Sequence, residues 1–88
     1  MDASEEADLV RRAKAGDERA FGGLVDAYLQ VVYNLSLRMV GNGEDARDLA
    51  QCVFLKAWRG LARFDDRRRF FSWLHRIALN ESLNLLRS

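Results

Sequence analysis

The chain has 88 residues, of which 49% are hydrophobic and 31% are charged. This composition excludes a disordered tail, and the length suits one small domain with a single core. The net charge is only +1, but residues 1–48 carry six basic and ten acidic side chains, whereas residues 49–88 carry eight and three. The basic half indicates either a polyanionic partner or an intramolecular dipole without functional consequence.

Four helices are predicted, because the chain contains no proline and has apolar positions at three- and four-residue spacing. The first helix covers residues 5–15, with Ser4 as its N-cap and Gly16 as its C-terminal stop. Asp17 caps the second helix, which covers residues 18–40.

The second helix is predicted to be the central, buried one, because residues 29–37 are apolar on nearly all sides. Gly22 and Gly23 should each cost about 1 kcal/mol in helix stability relative to alanine. Either another backbone packs closely against them, or the helix begins with a weak turn.

The third helix follows the clearest break in the chain, the Gly-Asn-Gly of residues 41–43, and covers residues 44–61. A short loop over residues 62–66 leads into a fourth helix over residues 67–86. No segment alternates with the period of a strand. The predicted fold class is therefore all-α, a compact bundle of about four helices that forms one domain over residues 1–88.

The third helix carries two stripes, of which the one between residues 50 and 61 is predicted to be core. On a second side, Leu55 stands among polar groups, which suits a partly apolar protein contact. A solvated face with one stray leucine explains the pattern nearly as well. The residues of this second face are Asp48, Gln51, Cys52, Leu55 and Arg59.

Aromatic and basic residues concentrate in one segment: six of the nine aromatics lie within residues 54–73, and five arginines lie within residues 59–69. Arg67, Arg68 and Arg69 are expected at the start of the fourth helix. Positive charge there opposes the helix dipole at a cost of a few tenths of a kcal/mol per charge. Since folding alone would not select this arrangement, these arginines are predicted to contact phosphates.

The fourth helix has a predicted core stripe that begins at Phe70 and ends at Leu85, and a second side of different character. An aromatic ring interleaved with arginines suits unstacked bases, and amide side chains can read base edges. Alternatively, the aromatic ring is half-buried core and the amides are ordinary surface residues. This second side comprises Trp73, Arg76, Asn80, Asn84 and Arg87.

The sequence offers no residue set for catalysis, metal binding or cofactor binding, so we expect no enzyme and no cofactor. Cys52 has no partner cysteine, and only His75 could join it as a zinc ligand. No apolar run reaches the roughly 18 residues that span a bilayer. The acidic N-terminus is unlike a signal peptide. We therefore expect a cytoplasmic protein without membrane insertion.

A series of short motifs follows one another along most of the chain. They are Lys14-Ala-Gly16-Asp17-x-x-Ala20-Phe21, Arg38-Met-Val-Gly-Asn42, Asp45-Ala-x-Asp48-Leu-x-Gln51-x-Val-Phe54-Leu-x-Ala-Trp58, Phe64 and Phe70-x-x-Trp73-Leu-x-Arg76-Ile-Ala78-x-Asn80. In order and spacing they resemble the second conserved region of the bacterial extracytoplasmic-function (ECF) sigma factors, a resemblance that covers about residues 8–87.

The resemblance implies a transcription initiation domain with two binding faces. The second face of the third helix would dock on the clamp helices of the largest subunit of core RNA polymerase. The loop and the last helix would capture the non-template strand of the promoter minus-ten element. A base would flip into a pocket beneath the loop, with Asn80 at its edge. The expected DNA-binding residues are Phe64, Arg67, Arg68, Arg69, Trp73, His75, Arg76, Asn80, Asn84 and Arg87.

The sequence departs from the family pattern in three places. Cys52 stands where the family usually has glutamate, His75 replaces a frequent tyrosine, and the loop over residues 65–69 is unusually basic at its end. The family's second helical domain, which reads the minus-thirty-five element, is not found before Ser88. We therefore expect a domain fragment, and an anti-sigma factor as a further partner covering the same faces.

Two other interpretations of the sequence stay open. A helical protein-interaction module without a nucleic-acid role would account for the Leu55 face, but not for the arginine run. A helix-turn-helix repressor would need its second helix free to enter the major groove. The predicted core stripe leaves too little of the fourth helix free for that purpose.

Overall fold

The computed structural model describes residues 1–87 and contains only helices and turns within them. A single 3₁₀ turn, Leu61–Arg63, continues the third helix. The predicted all-α fold class is confirmed, and none of the described helices is long and apolar enough to cross a membrane. The four helices are α1 (Ala3–Lys14), α2 (Glu18–Val40), α3 (Gly43–Gly60) and α4 (Phe70–Arg87).

Short acidic and amide side chains start the first three helices by accepting hydrogen bonds from otherwise unpaired backbone N–H groups. Asp17 and Asn42 begin α2 and α3 in this way. In α1 the cap is Asp2, whose Oδ1 accepts from the Glu5 backbone nitrogen at 2.8 Å. The prediction of Ser4 as this cap is wrong, because Ser4 lies inside the first turn of the helix.

The core lies where α2, α3 and α4 meet, and α1 covers one end of α2. The predicted core stripe of α3 is confirmed, with Trp58 as its partly buried member. A β-carbon at Gly23 would lie 3.3 Å from the Leu9 side chain, so α1 packs closely on α2 there. The largest apolar side chains that are completely buried are Leu24, Val32, Val53, Leu61, Phe70 and Leu74.

Two burial predictions are wrong, because parts of α2 and α4 are not covered by the neighbouring helices. Within residues 29–37, Leu29 and Val31 are 46% and 45% exposed, so α2 is not enclosed on all sides. Leu85 was expected in the core and is 44% exposed. At that end of α4 the neighbour is the first part of α3, and Leu85 lines an open groove beside Asp45 and Asp48.

Candidate functional site

The segment between α3 and α4 is held in place from α1, at the other end of the sequence. Lys14 Nζ donates a hydrogen bond of 2.6 Å to the Phe64 carbonyl oxygen. The same ammonium group lies 3.8 Å from Asp66 Oδ2. Since the Lys14 side chain is only 25% exposed, this contact is partly shielded from water. The loop is therefore anchored at Phe64 by a residue fifty positions away.

Arg67 is bound by an acidic residue of its own loop. Asp65 Oδ1 accepts from the Arg67 backbone nitrogen at 3.1 Å and from Nε at 3.0 Å, and Oδ2 accepts from Nη2 at 3.1 Å. The Arg67 side chain and then its backbone N–H lower the pKa of Asp65 to about 2. Asp65 is therefore ionised at neutral pH, and the Arg67 guanidinium is already paired.

The three consecutive arginines do not lie in the first turn of the last helix, as the sequence predicted. Because α4 begins at Phe70, Arg67, Arg68 and Arg69 belong to the loop before it. The predicted helix-dipole cost therefore falls mainly on Arg69, which directly precedes α4 and whose carbonyl accepts from the Trp73 backbone nitrogen at 3.4 Å. Arg68 and Arg69 line a cavity together with Phe64 and Trp73, whereas Arg67 does not line this cavity.

Phe64 is buried beneath the loop. Its side chain is 4% exposed, and its ring centroid lies 4.8 Å from that of Trp73 and 5.9 Å from that of Phe70. This aromatic cluster joins the loop to the first turn of α4. The Phe64 ring therefore forms the floor of the site and is not a freely projecting ring.

A cavity of about 250 Å³ opens above this floor, between the loop and α4. Trp73 lines the cavity beside the Phe64 floor, and arginines from three segments contribute the rest of the lining. Among residues 1–87, none of these four arginines has a carboxylate within 4.0 Å. The lining residues are Arg63, Phe64, Asp65, Arg68, Arg69, Ser72, Trp73 and Arg76.

The other predicted DNA-binding residues of α4 do not line this cavity. Asn80 is exposed one helical turn beyond Arg76, and Arg87 is exposed at the end of the helix. Asn84 lines a different groove, together with Asp48 and Cys52. His75 lies two residues after Trp73, nearly on the opposite side of α4, with its ring 5.8 Å from that of Phe71.

A second recess, of about 430 Å³, runs between α2 and α3. Leu29 and Leu55 stand at its edges with 46% and 48% of their side chains exposed. Within the described part of the chain, its polar lining residues are Gln51 and Glu18. The apolar ones are Phe21, Val25, Leu29, Phe54, Leu55 and Trp58. We refer to this recess as the apolar groove.

The structure divides the predicted polymerase-binding face. Gln51 and Leu55 line the apolar groove, whereas Asp48 and Cys52 line the open groove between α3 and α4. Arg59 is exposed near the end of α3 and lines neither. The five residues thus follow one ridge of α3, but four of them face two different recesses and Arg59 faces neither.

Cys52 takes part in a contact between α3 and α4. Its Sγ donates to Glu81 Oε1 at 3.6 Å, and Lys56 Nζ lies 2.9 Å from Glu81 Oε2. Burial and then the neighbouring Glu81 raise the pKa of Cys52, so its thiol stays protonated at neutral pH. Cys52 and Lys56 of α3 thereby both bind Glu81.

Within residues 1–87, no three His, Cys, Asp or Glu side chains are grouped so as to hold a metal ion.

Several residues of these sites were missed by the sequence interpretation. Arg63 and Ser72 line the cavity, and Lys14 anchors its loop. Arg63 belongs to the arginine-rich segment, and Lys14 to a quoted motif, so both carried a signal. Ser72 carried none, because a serine on a helix surface is common. The contribution of Leu29 to the apolar groove was masked by its assignment to a buried segment.

The sequence of this chain is similar to one protein family and to several of its members. The profile of the family described as Sigma-70 region 2 matches residues 24–88. The ECF RNA polymerase sigma factor SigW of Bacillus subtilis is 40% identical over 78 residues, which are 89% of this chain and 42% of that protein. The ECF RNA polymerase sigma-E factor of Escherichia coli K12 is 42% identical over 78 residues, 89% of this chain and 40% of that protein.

Two solved structures share the fold. An engineered region 2 of sigmaE, in complex with GTAAAA, has a TM-score of 0.87 and 43% identity, covering 92% of this chain and 84% of that one. CnrH, in complex with the cytosolic domain of CnrY, has a TM-score of 0.81 and 36% identity, covering 91% and 52%.

These relatives establish the family of the chain, but the chain matches only part of each curated relative. The chain spans less than half the length of the two curated relatives. Sigma factor domains are not enzymes, so the family confirms the prediction that the chain is not an enzyme. The motif order, the helical bundle and these matches agree: the chain belongs to the Sigma-70 region 2 family and is the region 2 domain of an ECF sigma factor.

Proposed function

We propose that this domain binds core RNA polymerase and captures the non-template strand of the promoter minus-ten element. The observation that carries the proposal is the cavity under the loop, where the aromatic rings of Phe64 and Trp73 meet four arginines, none of which has a carboxylate of the described residues within 4.0 Å. A flat apolar wall suits a base, and the cations suit its backbone.

The proposed path of the strand runs from the cavity along α4. Arg76 lies at the cavity, and Asn80 follows one turn later on the same side of the helix. One base would enter the cavity, and Asn80 would contact a neighbouring base edge. Extruding a base costs a few kcal/mol, which stacking and hydrogen bonds in the cavity offset. The engineered region 2 of sigmaE that was solved in complex with GTAAAA has the same fold, at a TM-score of 0.87, and supports this arrangement.

The apolar groove and the ridge of α3 form the proposed polymerase-binding surface. Leu55 is nearly half exposed at the edge of the groove, with Gln51 one turn before it on the same side. An apolar recess with an amide at its rim suits a helix laid across it by a protein partner. We place the clamp helices of the largest polymerase subunit on this surface, with Asp48, Cys52 and Arg59 along the ridge.

An anti-sigma factor is a further proposed partner. CnrH, which has the same fold, was solved in complex with the cytosolic domain of CnrY. The apolar groove of this chain is wide enough, at about 430 Å³, to take several apolar side chains of a partner helix. Such a partner would compete with polymerase for Leu55.

The test compares single-stranded minus-ten oligonucleotides, the same sequences as duplex, and base-shuffled single strands. We expect tight binding to particular single strands, weaker binding to duplex, and weak binding to shuffled strands, measured by fluorescence anisotropy at fixed salt. Equal affinity for all three would contradict strand capture. Polymerase binding without any DNA preference would instead favour the helical protein-interaction module.

A further inference from the structure

The polar lining of the cavity is one-sided, because four guanidinium groups stand against one carboxylate, that of Asp65. Arg63, Arg68, Arg69 and Arg76 contribute guanidinium groups, each with five N–H donors and no acceptor. Among residues 1–87, Ser72 is the only lining hydroxyl, and it can donate or accept. A ligand that fits this lining must therefore present acceptors.

Two acceptors of this segment, the Asp65 carboxylate and the Phe64 carbonyl oxygen, are partly occupied by contacts that hold the loop. The Asp65 carboxylate accepts three hydrogen bonds from Arg67. The Phe64 carbonyl oxygen, at the floor of the cavity, accepts from Lys14. Neither group would turn toward a ligand without giving up a contact that holds the loop.

Among the bases, guanine matches this lining best. Its O6 and N7 are adjacent acceptors, and arginine binds both at once. On the same edge adenine places an amino group next to N7, and cytosine exposes an amino group, so each would present a donor to a donor. Thymine offers a single acceptor, O4, beside a methyl group, so an arginine could not bind it through two acceptors at once. A phosphate would satisfy the arginines, but it would leave the aromatic wall of Phe64 and Trp73 without a partner.

The geometry of α4 indicates which residue would stack on the base and which would bind its edge. Trp73 and Arg76 are three residues apart, so their side chains stand on adjacent turns of one helix face. A base stacked on the Trp73 ring would present its edge toward the Arg76 guanidinium. Because both residues are fixed on a helix, their relative position does not depend on the loop.

We propose that the cavity takes a guanine, stacked on Trp73 and bound through O6 and N7 by Arg76. This inference rests on the proposed capture of a single strand. It names the chemical class of the captured base, which the family assignment does not determine.

The test begins with selection of single-stranded hexamers from a randomised pool by the 88-residue chain. We expect one position to be enriched in guanine. Replacing that guanine by 7-deazaguanine, which lacks N7, should weaken binding about tenfold. Replacing it by hypoxanthine, which keeps O6 and N7, should leave the affinity nearly unchanged.

The variant Arg76→Gln should abolish the difference between guanine and 7-deazaguanine at that position. Arg47→Gln is the matched control, because Arg47 is an exposed arginine of α3 outside the cavity. It should preserve the difference.

Enrichment of cytosine, adenine or thymine at the position that responds to Arg76→Gln would overturn the guanine assignment and leave strand capture standing. An abasic site that binds as well as guanine would also overturn it. Absence of any enriched position would instead contradict the proposed function itself.

Discussion

The two recesses of this domain differ in how they are built. The apolar groove is formed by side chains of α2 and α3, whose positions follow from helix geometry alone. The cavity needs a loop, a 3₁₀ turn and the start of α4, and its loop is tied to α1 through Lys14. The groove is therefore a property of two packed helices, whereas the cavity is a property of the whole fold. Changes to the core should disturb the cavity first.

Phe64→Ala should have the largest effect. Removing a buried phenylalanine costs about 3–5 kcal/mol of unfolding free energy, a large part of the stability of a domain this small. The cavity would lose its floor, while α2 and α3 keep the groove. Urea unfolding followed by circular dichroism measures the loss.

Phe71→Ala, at a half-buried ring, is the control and should cost less. A loss under about 1 kcal/mol, with single-strand binding abolished, would mean that Phe64 acts on the base directly.

Leu55→Asp should separate the two recesses. A charge at the edge of the apolar groove should weaken polymerase binding by about 2 kcal/mol, roughly thirtyfold, and leave single-strand affinity unchanged. Val31→Asp is matched in exposure, at 45% against 48%, and lies outside the groove. Surface plasmon resonance with immobilised polymerase measures the polymerase affinity of each variant. Fluorescence anisotropy measures the single-strand affinity. Equal losses for the two variants would remove the groove from the proposed interface.

Arg68→Ala and Asn80→Ala should weaken strand binding in different ways. Loss of one phosphate contact by Arg68 should reduce affinity several-fold for every sequence, and reduce the slope of log affinity against log salt by about 0.7. Asn80→Ala should leave the slope unchanged and lower discrimination at one base, as expected for base-edge contact. Titrations at four salt concentrations distinguish them. Identical behaviour of the two variants would refute the division of roles.

The Asp65 titration should show the smallest effect. Its folded pKa of about 2 lies below the ordinary 3.8, so its pairing with Arg67 stabilises the loop above about pH 4. That contribution is lost as the pH falls through about 2. The carboxyl carbon shift in NMR should titrate near 2, and in Arg67→Gln it should titrate closer to 3.8. An unchanged midpoint in the variant would show that Arg67 is not the cause.

The sequence predicted the parts of the molecule that follow from helical periodicity. Local spacing of apolar residues determines the extents of α2 and α3, the core stripe of α3 and the exposure of Leu55. Periodicity cannot say how many sides of a helix are covered, which is why Leu29 and Leu85 were wrongly placed in the core. It also cannot reveal that the Phe64 ring turns inward under the loop. That orientation depends on Phe70 and Trp73, which are brought beside it by tertiary packing.

The hydrogen bond from Lys14 to the Phe64 carbonyl has a consequence for how the domain forms. It closes a segment of fifty residues, and closure of long segments is entropically costly before other contacts support it. During synthesis, the chain emerges with Lys14 long before Phe64, so α1 and α2 can pair while the cavity does not yet exist. We expect a nascent chain to acquire its capacity for single strands only at the end of folding, after the hydrophobic centre has consolidated.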